Sequence, residues 1–155
     1  MSGAASGGEP LSARLLTIKV TPPERAAACL PRPELVERLV GADAQLLLIA
    51  APAGWGKTSL LAQWLDVEQG RRPVAYLRLE DSDDAGPVFW TYVTAALRRV
   101  WPEFPAGAEE ALRSPDVDPI RDVVPSLLNE LAAADQDPPL LVLDDYHVIS
   151  RQGIH

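Results

Sequence analysis

Residues 51–59 read APAGWGKTS, and this run constrains the fold more than any other part of the chain. Ahead of it, residues 45–50 read QLLLIA, a short unbroken apolar run closed by Pro52. Such a run predicts a strand buried on both faces, as in a parallel sheet. Behind it, Leu60, Leu61, Trp64 and Leu65 recur at helical spacing and predict a helix over residues 57–69. A strand, a glycine-bearing turn and a helix in direct succession put the turn at the amino end of the helix. Free N–H groups and the positive end of the helix dipole meet there. Gly54 and Gly56 let the backbone turn tightly and approach a ligand with no Cβ in the way.

This combination suits phosphate. Ala51, Pro52, Ala53, Gly54, Trp55, Gly56, Lys57, Thr58 and Ser59 are the expected contacts. The Lys57 ammonium can reach the β- and γ-phosphates, and the Thr58 hydroxyl can ligate the Mg²⁺ that bridges them. Ser59 is a weaker candidate. The match to GxxxxGK[ST] departs at its first position, where Ala51 stands in place of glycine. Lysine occurs at only two positions, Lys19 and Lys57, in a chain rich in arginine, which makes its place in the loop more telling. Trp55 must be partly exposed or cover the nucleotide.

A second element is LLVLDDYH, residues 140–147. An aspartate at the tip of a buried strand can hold Mg²⁺, and Asp144 is that residue. Asp145 can orient or deprotonate an attacking water, the catalytic role in this reading. By itself such a pair reads as the start of a solvated turn; paired with the upstream loop, it reads as a metal site.

Between these two lies a third apolar segment, residues 73–79 (PVAYLRL), expected to be a strand. Helices are expected over residues 33–40, after Pro87 with Phe89, Val93, Leu97 and Val100 inward, and over residues 120–134, with Pro125 kinking the last or marking its start. Residues 15–20 are expected to be extended, residues 103–118 a loop, and residues 80–84 a solvated, helix-capping acidic loop rather than a metal cluster. His147 reads as a turn residue, His155 forms no metal spacing with it, and Trp64, Phe89, Trp90 and Trp101 read as core. Alternating strands and helices predict an α/β fold with a parallel sheet, three strands in all.

Composition narrows the partners. The chain has 155 residues, enough for one domain, 47% of them apolar, and a net charge of −8. An acidic chain has no basic field to draw in nucleic acid or an anionic membrane, so neither is expected to bind directly here. The single cysteine, Cys29, cannot form an internal disulfide and fits a reducing cytoplasm. No signal peptide or membrane-length apolar run is visible. Residues 1–14 are expected to be a disordered tail.

On these residues the chain resembles the MalT-like regulators, large ATP-dependent members of the LuxR group in the STAND class of signalling NTPases. The matching pieces, in order, are LLTIKVTPPER, CLPRPELVERL, LIAAPAGWGKTSLLAQWL, VAYLRLEDSDDAGPVFWTYVTAALR, SLLNELA and LLVLDDYHVI. The resemblance implies a P-loop NTPase domain over residues 15–155, cut after the LDDYH strand. It implies ATP or ADP with Mg²⁺ as cofactors, and tolerates Ala51 in the loop. It places Arg32 near the base or the phosphates. It implies slow hydrolysis that resets an ATP-bound, self-associating state, with a small-molecule inducer and DNA bound by parts outside these residues. The implied sheet order, 5-1-4-3-2, sets a later strand between residues 45–50 and 140–143, so those two segments are not expected to pair. Two other readings remain: a free-standing P-loop enzyme such as a small-molecule kinase, which needs an arginine-bearing lid, and a truncated remnant without activity.

Overall fold

The computed structural model describes residues 17–102, 106–135, 137–150 and 154. The tail expected over residues 1–14, together with His155, lies outside them.

Strand β1, Val74–Arg78, is built from β-branched, aromatic and aliphatic residues and is buried at all but its last position. It pairs in parallel with β2, Leu140–Asp144, in the register Val74↔Leu140 through Arg78↔Asp144. Period-2 alternation gives each face of this sheet its own helix. On one face, Val74, Tyr76 and Val142 pack on Leu61, Trp64 and Leu65 of a helix spanning Lys57–Glu68. An earlier helix, α1, spans Pro33–Val40 and lends Leu39 and Val40 to the same cluster, so the Lys57–Glu68 helix is α2. On the other face, Ala75, Leu77 and Leu79 meet Phe89, Val93, Ala96 and Leu97 of α3, Gly86–Val100. A parallel pair needs a long crossover. It runs through α3, α4 (Ala106–Leu112), a π-helical turn at Pro119–Val123 and α5 (Val124–Ala133). Pro125 sits in the first turn of α5 and marks its start, where a missing N–H costs nothing.

The architecture is therefore α/β, with a two-stranded parallel sheet among the described residues. The third expected strand is absent. Residues 45–50 join no ladder, and Leu46 and Leu48 stand 85% and 83% exposed. A strand exists only by exchanging backbone hydrogen bonds with a neighbour, and β1 and β2 pair with each other instead. Leu47 alone reaches the α2 cluster. Replacing Leu46 and Leu48 together by serine is expected to change stability by less than ~0.5 kcal/mol. The measurement is chemical unfolding; a loss above ~2 kcal/mol would mean that these side chains are buried in solution.

Three further expectations are corrected. Residues 17–19 form a helical turn rather than an extended piece, held where Val20 enters the core. Within the segment read as loop, Ala106–Leu112 is helical because tertiary contacts supply what its short sequence does not. Ala108 is fully buried, and Glu109 pairs with Arg98 at 2.6 Å. The acidic loop over residues 80–84 does cap: Glu80 and Asp83 form a reciprocal capping box around a 3₁₀ turn. It is not wholly solvated, since Asp83 is fully buried against Lys19.

Candidate functional site

The turn after residues 45–50 takes the conformation its glycines allow. Gly54 and Gly56 have φ of 79° and 76°, in the left-handed region that a Cβ disfavours. Gly56 is the N-cap of α2, and its carbonyl accepts the first helical bond, from the Leu60 N–H at 2.9 Å. No side chain caps this helix end, so its leading N–H groups remain available to an anion. Lys57 folds over the turn and donates to the carbonyl oxygens of Ala51 at 2.7 Å and Pro52 at 3.2 Å. Ala51, Pro52, Ala53, Thr58 and Ser59 are exposed, and Trp55 is 66% exposed, so it does not belong to the core.

Arg32 joins this loop. A Cβ built on Gly56 would lie 3.1 Å from a guanidinium nitrogen of Arg32. Two cations, Arg32 and Lys57, thus flank one helix end in a chain of net charge −8. The residue that brings Arg32 there is Gln63, buried on α2. It accepts from the Arg32 N–H at 2.8 Å and donates toward the Leu30 carbonyl at 3.2 Å, the Ser59 carbonyl at 3.0 Å and the Cys29 sulfur at 3.1 Å. Sequence reasoning did not single out Gln63; its signal was a polar residue inside the apolar run of α2. Replacing Gln63 by methionine keeps the volume and is expected to cost about 1 kcal/mol, because the bonds that the buried amide makes to partly exposed groups are lost. Urea unfolding measures it, and a loss under ~0.5 kcal/mol would show that solvent replaces those bonds.

At the carboxyl end of the sheet, β1 holds the acidic pair of β2. The Tyr76 hydroxyl donates to Asp144 Oδ2 at 2.9 Å, and the Asp145 N–H donates to Asp144 Oδ1 at 3.0 Å. Burial first, then the bond to Asp144, pushes the Tyr76 phenol up from its ordinary value. Asp145 adopts φ 57°, a left-handed conformation that a short polar side chain tolerates, and pairs with Arg78 at 3.3 Å. His147 is exposed in the following 3₁₀ turn, as a turn residue should be. Tyr76 and Arg78 were not singled out from sequence. The strand period set them on one face, but only the register set that face beside Asp144.

No hydrogen bond or ion pair among the described residues joins the loop to Asp144 or Asp145. Nor do three His, Cys, Asp or Glu side chains among them cluster as metal ligands. A groove of about 570 Å³ opens elsewhere, at Pro73, Val74, Arg71 and Arg99 near the amino end of β1. Ligands of open α/β sheets bind at the carboxyl ends of strands; this groove lies toward the other end and meets the acidic pair through Tyr76, which lines it and bonds Asp144. No helix among the described residues is long and apolar enough to cross a membrane.

No family model matches the chain. Individual relatives do. The HTH-type transcriptional regulator MalT of Klebsiella pneumoniae is 32% identical over 142 residues, 91% of this chain. The chain is homologous to a segment of the MalT regulators. The same protein of Cronobacter sakazakii is also 32% identical over 142 residues, and that of Vibrio parahaemolyticus 31% over 138 residues, 88% of the chain. The chain spans 15% of the length of each of these relatives.

Proposed function

We propose that this chain is the nucleotide-binding portion of a MalT-like transcriptional regulator, with a P-loop type of phosphate site at residues 51–59. The observation that carries the reading is the conjunction at one helix end. Two left-handed glycines, an uncapped helix amino terminus, the Lys57 ammonium and the Arg32 guanidinium converge there. Backbone donors and two cations suit a polyphosphate. Lys57 exchanges its bonds with the Ala51 and Pro52 carbonyls for bonds to phosphate oxygens. Arg32 adds charge from the side, and Gln63 keeps it there.

The donor set also fits Mg²⁺. A hydroxyl on Thr58 and a carboxylate on Asp144 are hard oxygen donors, and Mg²⁺ takes its remaining ligands from water and phosphate rather than from a protein cage. When bound, Mg²⁺ would neutralise phosphate charge. Asp145 would orient the attacking water, once freed from Arg78. ATP as the nucleotide rests on the MalT likeness. So do slow hydrolysis as a switch, self-association, a small-molecule inducer, DNA binding by other parts of a longer protein, and a cytoplasmic setting.

Titration of a fluorescent ATP analogue into the chain, with Mg²⁺ present, tests the reading. Saturable binding competed by unlabelled ATP is expected. A cooperatively folded chain that binds no nucleotide would defeat it.

A further inference from the structure

We propose that Tyr76 is a positioning residue for Asp144, fixing the carboxylate on which Mg²⁺-dependent nucleotide binding depends. The inference rests on the nucleotide reading above and adds to it a residue from the neighbouring strand. Tyr76 lies opposite Val142 in the parallel register, one same-face step before the Arg78↔Asp144 pair. Its side chain therefore runs along the sheet face toward the carboxyl end, and its hydroxyl meets Asp144 Oδ2 at 2.9 Å. The ring is 4% exposed and locked among Leu61, Trp64, Leu65 and Val142. A hydroxyl on so immobile a ring is a fixed donor. The Asp145 N–H occupies Oδ1 at 3.0 Å. Each carboxylate oxygen thus holds one donor, and rotation of the carboxylate breaks both bonds. Each oxygen keeps a further lone pair for a hard cation.

The hydroxyl is separable from the ring. Tyr76→Phe leaves the apolar packing in place and deletes only the donor. Partners that orient a metal ligand alter metal affinity when removed, typically by 10-fold or more. The whole chain is titrated with a fluorescent ATP analogue, first without Mg²⁺ and then with increasing Mg²⁺. Y76F is expected to match the parent chain without Mg²⁺, and to need about 10-fold more Mg²⁺ to reach half of the metal-dependent tightening. If Tyr76 acts through Asp144, adding Y76F to Asp144→Ala shifts the Mg²⁺ midpoint no further. Tyr76→Met, another apolar side chain without a hydroxyl, is the second variant and is expected to behave as Y76F does. Thermal melting followed by circular dichroism checks that each variant is folded.

An unchanged Mg²⁺ midpoint in folded Y76F or Y76M overturns the inference. So does an equal loss of affinity with and without Mg²⁺, or a further shift in the D144A background. Nucleotide binding by the parent chain that ignores Mg²⁺ overturns the inference and leaves the nucleotide reading standing. A folded parent chain that binds no nucleotide overturns both.

Discussion

Replacing Asp83 by alanine is expected to destabilise the chain by about 3–5 kcal/mol, the usual effect of stripping one partner from a buried ion pair. Lys19 Nζ lies 2.6 and 2.7 Å from the two Asp83 oxygens and 3.3 Å from Glu80 Oε2. It also sits 4.5 Å from the centre of the Tyr92 ring. The Lys19 and Asp83 side chains are 8% and 1% exposed, so alanine at residue 83 leaves a poorly hydrated ammonium with only the largely exposed Glu80 as counter-charge. Asp83 also accepts the Glu80 N–H at 2.9 Å, and that donor is orphaned too. Lys19→Met with Asp83→Leu is expected to recover part of the loss, because it removes the lone buried charge while the Glu80 N–H stays unpaired. Urea midpoints compare the parent chain with the two variants, and a loss below ~1 kcal/mol for D83A would sink the idea. Burial opposes the charged form of Lys19, but the hydrogen bonds to Asp83 and Glu80 outweigh it and raise the ammonium's pKa. A raised pKa means that this contribution is fully present below the unfolded lysine value near ~10.4. It is lost as pH rises through the folded value.

Lys57→Ala is expected to weaken Mg²⁺·ATP binding by about 100-fold, equivalent to roughly 3 kcal/mol, and to leave folding nearly unchanged. The two effects separate because Lys57 bonds only to carbonyl oxygens of its own exposed loop. In the ligand-free chain, water can replace those bonds. Toward phosphate there is no substitute for the ammonium except Arg32, whose guanidinium lies on the Gly56 side of the loop. Calorimetric titration with ATP and a thermal melt would measure the two quantities. Affinity within about 3-fold of the parent would place the phosphates elsewhere.

Much of the fold was legible in local patterns. The α2 period marked Leu60, Leu61, Trp64 and Leu65, and all four are buried. The apolar runs at residues 73–79 and 140–143 marked both strands, now seen at Val74–Arg78 and Leu140–Asp144. The run at residues 45–50 carries the same signal and forms no strand. Its hydrophobicity states a preference for burial, but a ladder needs a neighbour, and hydrophobicity does not provide one. The acidic loop misled in the opposite way. Asp83 reads like its exposed neighbours Asp81 and Ser82, yet it is buried because Lys19, 64 residues earlier, supplies its counter-charge.

The candidate site divides along the same line. Sequence by itself determined the turn: glycines at residues 54 and 56, lysine at the first helical position, and an acidic pair at a strand end. These are local requirements, set by backbone freedom and by the chemistry that a few consecutive residues can offer. Only the tertiary structure decided that Gln63 holds Arg32 against Gly56, and that Tyr76 and Arg78 hold Asp144 and Asp145. Those contacts cross 31 residues in the first case and 67 or 68 in the second. At such separations the partner is chosen by helix packing and strand register, which no local pattern contains.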